Sequence, residues 1–182
     1  MDTVEPAEIA ATRRWLERAV IGLNLCPFAK AVHVKQQVRF VLSDTREIDA
    51  LRETLERELR LLADTPADVV DTTLIVHPHV LQDFLAYNDF LDVADMTVRM
   101  LGLEGEIQVA SFHPQYVFAG EPADDPSNCT NRTPFPTLHL LRESSIDRAV
   151  AAYPDPDAIV ERNVATMRRL GVEGYRRLLT AP

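Results

Sequence analysis

Histidines follow two short apolar segments of this chain. His77 and His79 come after residues 72–76, and His113 comes after residues 107–112. Imidazole acts as a general acid or base, as a metal ligand and as an activator of nucleophiles. The sequence therefore predicts a polar site wherever the ends of these segments meet.

Two cysteines are candidate nucleophiles beside such histidines. Cys26 follows a predicted helix C-terminus, where the helix dipole disfavours a thiolate, so we expect it to be buried and unreactive, although it remains a catalytic candidate. Cys129 lies in a loop beside Arg132, whose charge favours the thiolate. We therefore expect a thiol reagent to modify Cys129 first.

Two non-covalent chemistries compete with a thiolate mechanism. His77 and His79 point the same way in an extended segment and, joined by His113, offer three metal-ligating nitrogens, although no known metal-ligand spacing is matched. Asn131 and Arg132 instead form a fork of donors suited to a carboxylate or phosphate. We expect Arg132 to meet either an internal carboxylate or an anionic ligand.

Another polar pair lies in residues 137–142, whose secondary structure is ambiguous. Thr133 and Pro134 resemble the start of a helix, which slightly favours a helix here. On a helix, His139 and Arg142 share a face and can reach one ligand. On a strand, they point to opposite faces.

Strands that alternate with helices are predicted to position these groups. Strands are expected at 38–42, 72–76 and 107–112, and helices at 6–25, 45–62, 81–101, 145–153 and 156–170. This alternation predicts an α/β fold with a mostly parallel sheet of three or four strands covered by helices. If residues 137–142 form a fourth strand, the succession β-α-β-α-β-β-α is thioredoxin-like.

The strand directions place the polar residues at one edge of the sheet. In open α/β sheets the ligand crevice lies beyond the carboxyl ends of the strands. Asp44, His77 and His113 each follow a predicted strand, so we expect them at the same edge. A loop at about 119–136 carries Asn131 and Arg132 and can fold over that edge.

Composition and charge limit the class of protein. The 182 residues are 46% hydrophobic and 26% charged, which fits a single domain over 1–182. A net charge of −9 argues against nucleic acid as a partner. No apolar run is long enough for a membrane span and no secretory signal is recognised, so we expect a cytoplasmic protein.

Three motifs resemble those of a known family. They are Asn24-Leu-Cys-Pro-Phe-Ala29, Ser111-Phe-His-Pro-Gln-Tyr-Val-Phe118 and the segment from Thr130 to Glu143. Taken together they resemble DUF1415, a bacterial family catalogued as a domain of unknown function. The resemblance implies a single-domain bacterial protein with no assigned activity. The residues that match its motifs are Cys26, Pro27, His113, Asn131, Arg132, His139 and Arg142.

These observations give one leading hypothesis and two alternatives. The leading hypothesis is an enzyme acting on a small anionic molecule. Its catalytic candidates are His113, Cys26 and His139, and its ligand-binding candidates are Asn131, Arg132, Arg142 and His77. The alternatives are a noncatalytic ligand-binding or regulatory module and a histidine-based metal-binding protein. The sequence does not identify a cofactor or an oligomeric state.

Overall fold

The computed structural model describes residues 4–153 and 155–180. The strands are β1 (Val38–Leu42), β2 (Thr72–Val76), β3 (Ile107–Phe112) and β4 (Thr137–Arg142). The helices are α1 (Ala7–Trp15, continued by a π-helical segment over Leu16–Ile21), α2 (Ala29–Val34), α3 (Ile48–Asp64), α4 (Phe84–Met100), α5 (Glu143–Ala151) and α6 (Pro156–Thr180, broken at Gly171). A 3₁₀ helix spans Pro126–Asn131.

The sheet is mixed rather than mostly parallel, so that expectation is corrected. The strand order is β1-β2-β4-β3, and only β1 and β2 pair in parallel. β4 lies antiparallel between β2 and β3. The cause is the connection from β3 to β4, because parallel neighbours need a crossover, usually through a helix, and a loop returns the chain antiparallel.

Residues 137–142 form a strand, so the slight preference for a helix was wrong. β4 pairs on both sides, with β2 and with β3, and those ladders satisfy its backbone groups. From β1 to α5 the elements follow one another as β-α-β-α-β-β-α. The weak helix-start signal at Thr133 and Pro134 is overridden by this nonlocal pairing.

Helices cover both faces of the sheet. α3 and α4 pack on one face, against side chains such as Ile75, Leu138 and Leu140. α1, the π-helical segment and α6 pack on the other face, where Leu74 and Phe112 belong to the second apolar cluster. Successive strand residues alternate between these two cores, as strand geometry requires.

The predicted loop at 119–136 contains one short element and folds back onto the protein. Asn128 is fully buried, where its amide group accepts from the backbone N–H of Phe118 (2.9 Å) and donates to the carbonyl of Pro122 (2.8 Å). Near its end, the carbonyl of Pro136 accepts from the backbone N–H of His77 at 3.0 Å. The loop therefore reaches the carboxyl end of β2. We expected from the sequence that the loop folds over this edge of the sheet.

Candidate functional site

The carboxyl ends of β1, β2 and β3 lie at one edge of the sheet, because the antiparallel β4 leaves β2 and β3 running in the same direction. His77 and His113 are both fully buried there, and both rings contact that of Tyr87. The Tyr87 ring lies 5.8 Å from that of His77 and 5.0 Å from that of His113. The Tyr87 hydroxyl accepts from the backbone N–H of Phe112 and donates to the carbonyl of Thr137.

Both ring nitrogens of His113 are engaged by the protein itself. The backbone N–H of Gln115 donates to Nδ1 at 3.0 Å, so the proton of the neutral ring is on Nε2. That Nε2 donates to the carbonyl of Leu81 at 3.1 Å. Burial lowers the pKa of His113. These bonds give His113 a structural role in the geometry described.

His77 has one engaged and one unpartnered ring nitrogen. Its Nδ1 donates to the carbonyl of Val80 at 3.0 Å, which leaves Nε2 as the unprotonated nitrogen. That Nε2 is buried without a hydrogen-bond partner among the described residues. Burial lowers the pKa of His77 to about 4, so the ring is neutral near pH 7.

The two histidines together hold the turn between β2 and α4. Their acceptors, the carbonyls of Val80 and Leu81, are adjacent in the chain. Leu81 has a φ of 58°, in the left-handed region that disfavours a side chain, so the turn is strained. Hydrogen bonds from two buried rings oppose the relaxation of that strain.

A more exposed pair lies at the same edge. Nε2 of His79 is 2.9 Å from Oδ1 of Asp44, and the Asp44 side chain is largely exposed. Exposed pairs of this kind stabilise a fold by about 0–1 kcal/mol. The predicted position of Asp44 at this edge agrees with the structure.

Asn131 and Arg132 are brought to this side of the molecule, but their donors point to backbone carbonyls. Asn131 Nδ2 donates to the carbonyl of Ser111 at 3.2 Å. Arg132 donates from Nε to the carbonyl of Tyr116 (3.0 Å) and from Nη2 to that of Ala123 (2.8 Å). Of the two expected partners of Arg132, an internal carboxylate or an anionic ligand, the first is not found among the described residues, because carbonyls of the neighbouring loop accept these hydrogen bonds.

The two cysteines have the opposite exposures from those expected. Cys26 is exposed, and Cys129 is buried. Burial raises the pKa of the Cys129 thiol, although Arg132 acts in the other direction. The expected burial of Cys26 was wrong because the turn after the π-helical segment leaves its side chain exposed. Cys129 is buried because the loop that carries it packs on α6.

His139 lies on the opposite face of the sheet from His77 and is half-buried. Its Nε2 meets the Thr72 hydroxyl, and that hydroxyl donates to the carbonyl of Leu140 at 2.7 Å. Since the hydroxyl has one hydrogen and a carbonyl only accepts, Nε2 must donate to Thr72. The lone pair is then on Nδ1, which bonds no described residue and is not closed off from solvent.

The environment of His139 favours its neutral form. Burial lowers its pKa to about 4. The ring of Phe112 lies 5.9 Å away, and Trp15 packs edge-on against Phe112 at 5.1 Å. Near pH 7, His139 therefore carries an unprotonated Nδ1, on the sheet face against which α1, the π-helical segment and α6 pack.

Arg142 lies at the other edge of the sheet and does not share a face with His139. Its guanidinium donates to the carbonyls of Leu62 (2.7 Å) and Val70 (2.9 Å) and also to that of Thr65. Leu62 is in the last turn of α3, where carbonyls lack helical partners and a cation is stabilised by the helix dipole. A shallow cavity of about 200 Å³ at this edge is lined by Ala63, Gly105, Glu106, Ile107, Arg142 and Ser144.

The metal-binding alternative gains no support from the geometry. Among residues 4–153 and 155–180, no three His, Cys, Asp or Glu side chains lie close enough to hold a metal ion. His77 Nδ1 and His113 Nε2 donate to the carbonyls of Val80 and Leu81, and His113 Nδ1 accepts from the backbone N–H of Gln115. Within the same residues, no helix is both long and apolar enough to cross a membrane.

Two residues of this geometry were missed from the sequence. Tyr87 falls on the apolar stripe of α4 between Phe84 and Phe90, and a hydroxyl in such a stripe indicates a buried hydrogen bond. Thr72 carries no local signal, because its contact with His139 depends on the register between β2 and β4.

Comparison with protein families gives one match. The profile of the family described as Protein of unknown function (DUF1415) matches residues 7–177, nearly the whole chain. This confirms the resemblance carried by the three sequence motifs. No curated protein matches the chain, and no solved structure does.

Proposed function

Because the chain belongs to the DUF1415 family, whose function is unknown, we propose its function from the site itself: the protein binds a small, uncharged molecule through Nδ1 of His139. The observation that carries this proposal is the forced tautomer of His139, with Nε2 donating to Thr72 and Nδ1 left as an uncommitted acceptor on a partly exposed residue. A half-buried imidazole with one uncommitted nitrogen is a stronger indication of function than a fully exposed one.

The surroundings of Nδ1 suggest the class of ligand. Ala110 and Leu141 lie on the same sheet face as His139 and are partly exposed, while Gln108 beside them is exposed. We call these four residues the His139 patch. A neutral imidazole nitrogen accepts a hydrogen bond and offers no charge to an anion. The patch therefore suits a molecule with an N–H or O–H group and an apolar body.

The proposal is binding rather than a reaction. The described contacts of the His139 ring are with Thr72 and Phe112. The Thr72 hydroxyl is committed to the Leu140 carbonyl, and Phe112 is apolar, so neither supplies a second acid, base or nucleophile. The enzyme acting on an anion, the cytoplasmic location and the bacterial origin remain predictions from the sequence.

A matched pair of small probes tests the proposal. Benzamide carries an N–H donor, whereas benzoate has the same ring with a negative charge and no donor. We expect benzamide to shift the backbone amide NMR signals of the His139 patch and benzoate to leave them unchanged. The variant His139→Phe should weaken benzamide binding at least tenfold, and the control His33→Gln, at the exposed contact with Glu17, should not.

Two results would overturn the proposal. One is equal binding of benzamide by His139→Phe and the unaltered protein. The other is saturable binding of benzoate or inorganic phosphate that shifts the signals around Asn131 and Arg132 and leaves the His139 patch unaffected. The second result would favour the anionic ligand that the sequence suggested.

A further inference from the structure

The solvent-facing side of α4 carries four large apolar side chains. Leu85, Val93, Met96 and Met100 have exposed fractions of 72%, 39%, 60% and 67%. Their spacing places them within one narrow sector of the helix, since residues three, four, seven and eight apart share a face. We call these four side chains the α4 stripe.

The α4 stripe is separate from the face with which α4 joins the core. That opposite face is formed by Tyr87, Phe90, Ala94 and Val98, all of them buried. Single exposed apolar residues are ordinary, but four on one face of a helix are typical of a surface that binds another protein. Methionine is adaptable in shape and frequent on surfaces that receive helices.

The charges beside the stripe select the kind of partner. Asp89 lies within it, Asp92 and Asp95 flank it, and all three are exposed. The one cation within α4 itself is Arg99, whose Nε lies 3.6 Å from Oε1 of Glu104. A second copy of this chain would bring a net charge of −9 against these carboxylates. A cationic partner would be attracted to them instead.

From the stripe and its charges, we infer that α4 is a docking surface for a basic amphipathic helix of another protein. The apolar face of that helix covers Leu85, Val93, Met96 and Met100, and its lysines or arginines lie over Asp89, Asp92 and Asp95. This is recognition of one amphipathic helix by another, with apolar anchors spaced along one face of each. It does not depend on the ligand proposed for His139.

The methionines provide the assay. We propose to label the methyl groups of methionine with ¹³C and to titrate the full chain with an 18-residue amphipathic helical peptide of leucine and lysine. Met96 and Met100 should shift and saturate, whereas the buried Met167 should not. A scrambled peptide of the same composition should bind at least tenfold more weakly, and the corresponding leucine–glutamate peptide should not bind.

Variants of constant charge separate the stripe from general electrostatic attraction. Met96→Gln combined with Met100→Gln should weaken the lysine peptide at least tenfold, while Val34→Gln, at an exposed valine of α2, should not. Unchanged affinity in the double variant would overturn the inference, as would equal binding of the scrambled peptide. Dimerisation of the peptide-free protein, detected by sedimentation and abolished in the double variant, would also overturn it by assigning the stripe to a second copy.

Discussion

The hydrogen-bond partner of each imidazole decides which of the chain's histidines can act on a ligand. His113 has donor and acceptor both engaged by backbone, and His77 has its acceptor nitrogen sealed in the interior. His139 keeps an uncommitted acceptor nitrogen, Nδ1, because its Nε2 carries the proton and donates it in the hydrogen bond to Thr72. The residue type alone indicated an acid–base group in all three cases, and the tautomer distinguishes them.

The same reasoning at the residue scale reverses the order in which the thiols should react. Cys26 is exposed, whereas Cys129 is buried and burial raises the pKa of its thiol. We expect a thiol reagent to modify Cys26 quickly in the folded protein and Cys129 only after unfolding. Peptide mass spectrometry over a labelling time course measures this order. Cys26→Ser should remove the fast phase, and faster labelling of Cys129 would contradict the exposures described.

At the scale of elements, the local sequence pattern was enough to predict three strands and the buried apolar face of α3. Leu51, Leu55, Leu59 and Leu62 recur at helical spacing, and all four are fully buried. β1, β2 and β3 were likewise predictable from short β-branched and apolar segments bounded by polar residues and prolines. Their common direction then placed Asp44, His77 and His113 at one edge.

β4 and the His139 site depend on nonlocal pairing and were not predictable in the same way. His139 faces Thr72 because Leu74 is its register partner in β2, and nothing near His139 in the chain specifies that register. The loop before β4 also lacks periodicity, so the burial of Cys129 had no sequence signal. The sequence therefore identified His139 as a candidate without indicating its face, its neighbours or its protonated nitrogen.

The C-terminus of α2 has a backbone conformation that does not suit the residue found there. The backbone N–H of Gln37 donates to the carbonyl of Val32, and that of Gln36 donates to the carbonyl of His33. These are the two bonds of a Schellman motif, in which the residue at Gln36 adopts a positive φ, here 58°. Glycine is the residue that this position usually carries.

Gln36→Gly should stabilise the protein. The left-handed conformation costs a residue with a side chain about 1–2 kcal/mol, and glycine's greater freedom when unfolded offsets part of that gain. We expect the free energy of unfolding to rise by about 0.5–1 kcal/mol in urea titrations. Lys35→Gly, at a residue whose φ is −78°, is the matched control and should lower it. If Gln36→Gly is less stable than the unaltered protein, the Gln36 side chain stabilises the fold by more than its left-handed conformation costs.

On the scale of the whole molecule, the buried histidines link stability to pH. His77, His113 and His139 all have pKa values lowered by burial, to about 4 for His77 and His139. In the unfolded chain they return to their ordinary pKa of 6.5. Below pH 6.5 the unfolded state therefore binds more protons than the folded state, so acid favours unfolding.

Stability should consequently be greatest above pH 6.5 and fall as the pH approaches 4. For each of these histidines, the free energy of unfolding falls by up to about 1.4 kcal/mol per pH unit as the pH decreases below 6.5. For His77 alone the loss reaches about 3 kcal/mol at pH 4. The pKa of Asp125 is lowered to about 2, chiefly by its hydrogen bonds with Ser127. Protonation of Asp125 therefore affects stability only at a pH below the range in which the histidines act. Urea titrations at pH 7.5, 6.5, 5.5 and 4.5 measure the slope. His139→Phe should make it shallower. A stability that stays constant between pH 6.5 and 4.5 would contradict the neutral, buried state of these rings.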